Sequence, residues 1–394
     1  MKRHITRIIA VLLCAVLLLS SCARWKKTTE VSAITDSFNT NYKYVFVHGL
    51  SGWGSYDTVN KFLPYWGTFG GNLMKYLNDE GFNCVSASVS PKGSAWDRAC
   101  ELYAQLTGTV VDYGKEHSER CNHERFGEDF SDKPLVESWS AEDKINLLGH
   151  SFGGATVRLL AELMANGSEA EINATDPDDI SPFFTGGKAD WIYSITALAA
   201  PHNGTSAYNS NNGETDIDDE LSFTQRIMSD MVGGATAGKG DGRADYDYAN
   251  YDLQIDNALE LNKSITAISS VYYFSVPCSS TYQKEDGTYE PYIDMTETMF
   301  VKSSILMGRY TGTTEGGFVI DESWLDNDGL VNVISAKAPF DELSTDYDEN
   351  NVKPGIWNIM PVYKGDHMSL QGGMMKTNDV RDFYTAHLQM INEL

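Results

Sequence analysis

The chain has 394 residues, 42% apolar and 22% charged, with a formal net charge of −25. That length suits one large core or two modest ones. The acidic balance argues against a nucleic-acid partner and against docking on anionic lipid, and it fits a neutral substrate.

Residues 1–21 read as a lipoprotein signal peptide. Lys2, Arg3 and Arg7 precede an apolar run, Ile8 to Leu19, too short to span a bilayer as a helix. The run ends Leu19-Ser20-Ser21-Cys22, which resembles a bacterial lipobox, so Cys22 is the expected lipid anchor of a protein exported from the cytoplasm. Residues 22–41 are polar and read as a tether. Cys84, Cys100, Cys121 and Cys278 are too widely spaced for a disulfide scaffold, although one bridge is expected to be open to them.

From residue 42 a single domain is expected to run to the end. Tyr42 to Val47 has the β-branched and aromatic content of a buried strand and stops at the glycine-punctuated His48–Gly54 loop. A helix over Gly71 to Glu80, a strand over Asn83 to Val89 and a long helix over Ala95 to Gly114 follow. Residues 115–140 are polar and loop-like. Ile145 to Gly154, INLLGHSFGG, then reads as strand, tight turn and helix. Trp191 to Ala200, Val271 to Val276 and Trp357 to Val362 are later strands, and Asp379 to Ile391 a final helix. This alternation predicts an α/β fold: a mostly parallel sheet with helices on both faces.

The turn in INLLGHSFGG carries a G-x-S-x-G pattern. Ser151 has to sit on a strained turn for its hydroxyl to stand above the sheet, where neighbours with side chains would clash. The Phe152 amide at the start of the following helix is then one oxyanion donor, and the Leu50 amide after the first strand is the expected second.

A serine nucleophile needs a base, and the base an acid, in the chain order Ser, Asp or Glu, His. Of eight histidines, only His367 and His387 follow the serine and any good acid loop. His367 lies in a loop after a strand and is favoured; His387 lies inside the last helix, where solvation or capping is the expected role. For the acid, Asp328 is preferred to Asp326, because Gly329 beside it permits a tight turn; Asp321 is weaker.

HGLSGWG (48–54), WDRACELYAQL (96–106), VDYG (111–114), GHSFGG (149–154), PHNGT (201–205), DYANYDL (247–253), WLDNDGLVN (324–332) and the Asp366-His367 pair occur in this order. So does the His117, His123, Arg125-Phe126-Gly127 spacing. Together they resemble the zinc-containing bacterial triacylglycerol lipases of the thermoalkalophilic group. The resemblance implies an α/β-hydrolase fold, a lipid ester substrate, and Ser151, Asp328 and His367 as triad. It also implies a closed structural zinc on Asp97, His117, His123 and Asp247, within a 115–140 insertion. Cys121 lies between the two histidines as a competing ligand. The acidic residues that hold the family's calcium just after the catalytic histidine are missing from Met368 to Met374, so no calcium site is expected. The lid, 206–246, is shortened, with one amphipathic helix over Leu221 to Met231. Competing readings are a carboxylesterase or thioesterase on smaller esters and a non-catalytic surface lipoprotein.

Overall fold

Lys43–Val47 (β1) sits in the interior of the sheet, and its sequence shows why. Tyr44 and Phe46 point to one face, Val45 and Val47 to the other, and all four are fully buried. A parallel strand covered on both faces needs such a continuous apolar run. The computed structural model describes residues 38–211, 242–374 and 377–394. The expected signal peptide, Cys22, most of the tether, and the lid helix over Leu221 to Met231 lie outside the described residues.

β1 is joined by Cys84–Ala87 (β2), Ile145–His150 (β3), Ile192–Leu198 (β4), Tyr272–Val276 (β5), Ser344–Asp346 (β6) and Trp357–Ile359 (β7). The spatial order is β6-β7-β5-β4-β3-β1-β2, and every pairing is parallel. Helices cover both faces. Leu73–Asp79 (α1) and Arg381–Glu393 (α4) pack Leu73, Leu77, Tyr384, Leu388 and Ile391 against Tyr44, Phe46 and Phe274. Ala95–Thr107 (α2) and Gly153–Asn166 (α3) pack Leu102, Leu106, Val157 and Leu160 against Val45, Val47 and Leu147. Truncating Phe46 to Ala in so closed a layer costs about 3–5 kcal/mol.

Three expectations are corrected. The helix from Ala95 ends at Thr107, not Gly114: Gly108 takes the left-handed conformation (φ 65°) and its amide closes on the Ala104 carbonyl. Val110–Asp112 then forms a strand paired antiparallel with Phe126–Asp129. The 115–140 segment is therefore not simply loop, since it also holds a helix over Lys115–Cys121. His387 is neither solvated nor a cap. It is buried on α4, with Nε2 2.9 Å from Thr196 Oγ1, because it shares the face of Tyr384, Leu388 and Ile391. As for the cysteines, Cys84, Cys100, Cys121 and Cys278 are all free and buried.

Candidate active site and metal cage

Ser151 stands where β3 gives way to α3. Its φ is +55°, a strained value for a residue with a side chain. Its amide donates to the Leu198 carbonyl at the end of β4 (2.8 Å), and its carbonyl accepts from Gly154 (2.9 Å). Close approach explains Gly153: a Cβ there would lie 2.4 Å from the Val47 carbonyl oxygen of β1. The turn is thus pressed onto the sheet, with the Ser151 side chain above it.

The structure brings Ser151, Asp328 and His367 together. His367 Nε2 is 2.8 Å from Ser151 Oγ, and its Nδ1 is 2.9 Å from Asp328 Oδ2. The carboxylate fixes the tautomer, with the proton on Nδ1 and Nε2 left to accept. The other oxygen, Asp328 Oδ1, accepts from the amides of Leu330 (3.0 Å) and Val331 (2.7 Å), and the Asp328 carbonyl accepts from the His367 amide (2.9 Å). The alternatives are occupied elsewhere. Asp326 accepts from Ser279 and Thr281, and Asp321 caps Ser323. Among the described residues, neither the Leu50 nor the Phe152 amide has a protein acceptor.

Two supporting residues, Tyr65 and Arg98, had not been singled out in the sequence, whereas His150 was expected to face away from Ser151 and does. His150 points away from Ser151: Nε2–H donates to the His367 carbonyl (2.8 Å), and Nδ1 accepts from the Tyr65 hydroxyl (2.7 Å). Tyr65 in turn accepts from the Gly49 amide (3.2 Å). Burial pushes His150 down to about 3 and Tyr65 out of the titrating range, so this bridge is neutral and fixed. Arg98, buried on α2, donates to the carbonyls of His48 (2.5 Å) and Ser90 (2.8 Å) and to Thr156 on α3 (2.9 Å). It ties the Leu50 loop to the Ser151 turn. Neither carries a local signal: Arg98 shares its helix face with Glu101 and Gln105, and Tyr65 lies in a loop.

Ser151 and His367 open onto a cavity of about 390 Å³. Its walls include Leu50, Trp53, Leu63, Leu253, Leu330 and Met368. Among the described residues lining it there is no Asp or Glu, and Lys92 is its single Lys or Arg.

A second cluster lies at the first turn of α2. Asp97 sits after the Ser94 cap, and Ser94 Oγ donates to Asp247 Oδ1 (2.7 Å). His117 lies in the Lys115–Cys121 helix. That helix stops at Asn122 (φ 59°), and the chain doubles back, so His123 comes beside His117 without sharing a helix with it. His117 Nε2 is 3.1 Å from Asp97 Oδ1 and 3.3 Å from Asp247 Oδ1. His123 Nε2 is 3.8 Å from Asp97 Oδ1 and 3.4 Å from Asp247 Oδ2. Tetrahedral bonds of about 2.1 Å give edges of about 3.4 Å, close to these four separations. His123 Nε2 and Asp247 Oδ2 are buried without hydrogen-bond partners, as ligand atoms of a metal site would be.

The residues whose ligand atoms all lie within 4.8 Å of one another are His117, His123, Asp247 and, in place of Asp97, Cys121. Its Sγ, however, lies 3.8 Å from His117 Nδ1, the ring nitrogen opposite the one facing the carboxylates. Burial by itself lowers the His117 pKa, but the bonds to Asp247 and Asp97 outweigh it and carry the group up to about 11, so with no ion bound it is a cation held between two carboxylates.

A mostly parallel sheet flanked by helices, with a serine at the β3–α3 turn and an acid–histidine pair over it, defines the α/β-hydrolase class. The sequence matches the family model described as "Lipase-like, C-terminal domain" over residues 40–236 and 240–393, and the chain belongs to that family. It is 32% identical over 375 residues to a lipase of Staphylococcus hyicus, covering 89% of this chain and 56% of that protein. The chain spans about half the length of the curated relatives it matches. Among solved structures, EstA from Clostridium botulinum matches with a TM-score of 0.80 and 31% identity, over 94% of this chain and 92% of that one. Lipase 1 from Pelosinus fermentans matches with a TM-score of 0.73 and 32% identity, over 90% of this chain and 99% of that one.

Proposed function

We propose that this chain is an exported, membrane-anchored serine lipase that hydrolyses the carboxylic esters of acylglycerols through an acyl-enzyme. The observation that carries the reading is the run of short contacts from Asp328 through His367 to Ser151 at an apolar, nearly uncharged cavity. In it, Oγ of Ser151 bonds to the ester carbonyl carbon while His367 Nε2 takes its proton. The carbonyl oxygen becomes an anion held by the Leu50 and Phe152 amides. The tetrahedral adduct expels the alcohol, which leaves with the proton from His367. Water then attacks the acyl carbon, His367 takes its proton, and the fatty acid departs as Ser151 regains its own.

The cage of Asp97, His117, His123 and Asp247 is assigned to zinc, because two imidazoles and two carboxylates at tetrahedral spacing suit that ion. Its role is structural, tying the 115–127 segment to α2 and to the Asp247 loop. No calcium is assigned. Cys22 is proposed as the lipid anchor, on its lipobox-like context.

The cavity volume favours a second reading, a carboxylesterase acting on shorter or soluble esters, since about 390 Å³ is near the low end for ligand sites. A rate profile over p-nitrophenyl esters of increasing chain length separates the two. Ser151→Ala is expected to abolish hydrolysis and fluorophosphonate labelling while keeping the fold. Ester turnover at the native rate by that variant sinks both readings.

A further inference from the structure

The two carboxylates of the cage share a further partner. Arg243 Nη1 donates to Asp97 Oδ2 and lies 3.4 Å from Asp247 Oδ2. Asp97 is thus divided between two partners: Oδ1 faces the histidines and Oδ2 faces the guanidinium. Asp247 Oδ2 is contested, lying 3.4 Å from His123 Nε2 and 3.4 Å from Arg243. Asp97 and Asp247 are almost fully buried. Buried carboxylates this close are held together by positive charge facing them, and Arg243 reaches both from the side away from the histidines' shared oxygen, Asp97 Oδ1.

We propose that Arg243 is a resident counter-cation for the cage, clamping Asp97 and Asp247 together in the metal-free protein and competing with the ion for Asp247. This rests on the metal reading given above for its second half only. The clamp is a property of the metal-free chain. The competition follows because an ion that draws on Asp247 Oδ2 takes it from the guanidinium, and because a positive charge beside a divalent ion opposes it. A purely orienting partner on a ligating carboxylate would do the reverse, and its loss would weaken binding by about 10–100-fold.

The experiment uses the whole chain and Arg243→Gln, which keeps a polar amide but carries no charge, with Arg243→Lys as the charge-retaining control. Each is prepared zinc-loaded and chelator-stripped, zinc is counted by mass spectrometry, affinity is read by competition with a chromophoric chelator, and Tm by circular dichroism. The expected result is a metal-free Arg243→Gln protein melting several degrees below the metal-free native chain, with Arg243→Lys close to native. The loaded forms are expected to melt together, and zinc to bind Arg243→Gln about tenfold more tightly. Equal Tm values for metal-free native and Arg243→Gln proteins overturn the clamp. Weaker zinc binding by Arg243→Gln overturns the competition and makes Arg243 an orienting partner. Absence of stoichiometric zinc from the native protein removes the metal assignment and the competition with it, while the metal-free melts still decide the clamp.

Discussion

Asp328→Asn tests the site at one atom. The Asp328 carboxylate is held on both sides: Oδ1 accepts from two backbone amides, at 3.0 Å and 2.7 Å, and Oδ2 accepts Nδ1–H of His367 at 2.9 Å. Asparagine has the same shape but one accepting end. Its oxygen has to remain with Leu330 and Val331, because turning the NH2 there would oppose donor to donor and leave two buried amides unpaired, at about 1–3 kcal/mol each. The NH2 then faces His367 Nδ1, which can meet it only as a bare, accepting nitrogen. The ring proton moves to Nε2, and Nε2–H faces Ser151 Oγ at a position where it has to accept a proton. Correct geometry with the wrong tautomer lowers kcat by about 10⁴-fold, close to 5.4 kcal/mol at 1.36 kcal/mol per decade. The assay is kcat and KM on a short p-nitrophenyl ester, with circular dichroism and melting to verify the fold. KM should change little, since the carboxylate lies behind the histidine. A folded Asp328→Asn protein that keeps more than a tenth of native kcat refutes the argument.

Three further outcomes are expected. Tyr65→Phe removes the hydroxyl between the Gly49 amide and His150 Nδ1; it should cost about 1–3 kcal/mol in urea unfolding and lower kcat about tenfold, and native kcat would show that the bridge is only structural. Glu342→Ala should cost about 3–5 kcal/mol, because Arg158 is buried with Glu342 as its carboxylate partner at 3.2 Å, and a loss under about 1 kcal/mol in the same assay contradicts this. Burial lowers the His387 pKa from 6.5 to about 4, so the unfolded chain takes up the proton first as pH falls. The stability this represents is present above about 6.5 and lost towards pH 4, amounting to about 2 kcal/mol between pH 7 and pH 5. His387→Gln should therefore lose about 2 kcal/mol less than the native chain over that interval, and parallel pH dependence of the two proteins speaks against it.

What the sequence discloses depends on how far each constraint reaches along the chain. The strand–turn–helix at Ser151 is legible because the glycines, the serine and the apolar runs on either side act on their immediate neighbours. β1 is legible for the same reason, since a strand buried on both faces has to be apolar throughout. The stretch after Thr107 misleads because apolar spacing continues to Val110 past a glycine that ends the helix, and a helical period read through a left-handed cap counts residues belonging to the next strand. The misreading of His387 had its remedy in the sequence: Tyr384, His387, Leu388 and Ile391 are spaced i, i+3, i+4, i+7, which places the imidazole on the buried stripe.

Other residues owe their setting to the closing of the sheet. His150 meets the His367 carbonyl 217 positions away, and Arg243 meets Asp97 across 146. No local pattern requires an arginine beside a pair of carboxylates that become neighbours only when α2 and the Asp247 loop are in place. The same holds for Tyr65, whose hydroxyl is positioned by a loop following β1 and answered by a histidine ending β3. Chain order narrowed the acid and the base to a few residues each, and local context favoured Asp328 and His367, but the contacts that distinguish them from their neighbours arise only in the folded sheet. Asp326 and Asp328 are two residues apart, and what separates them is that one is engaged by Ser279 and Thr281 while the other faces an imidazole.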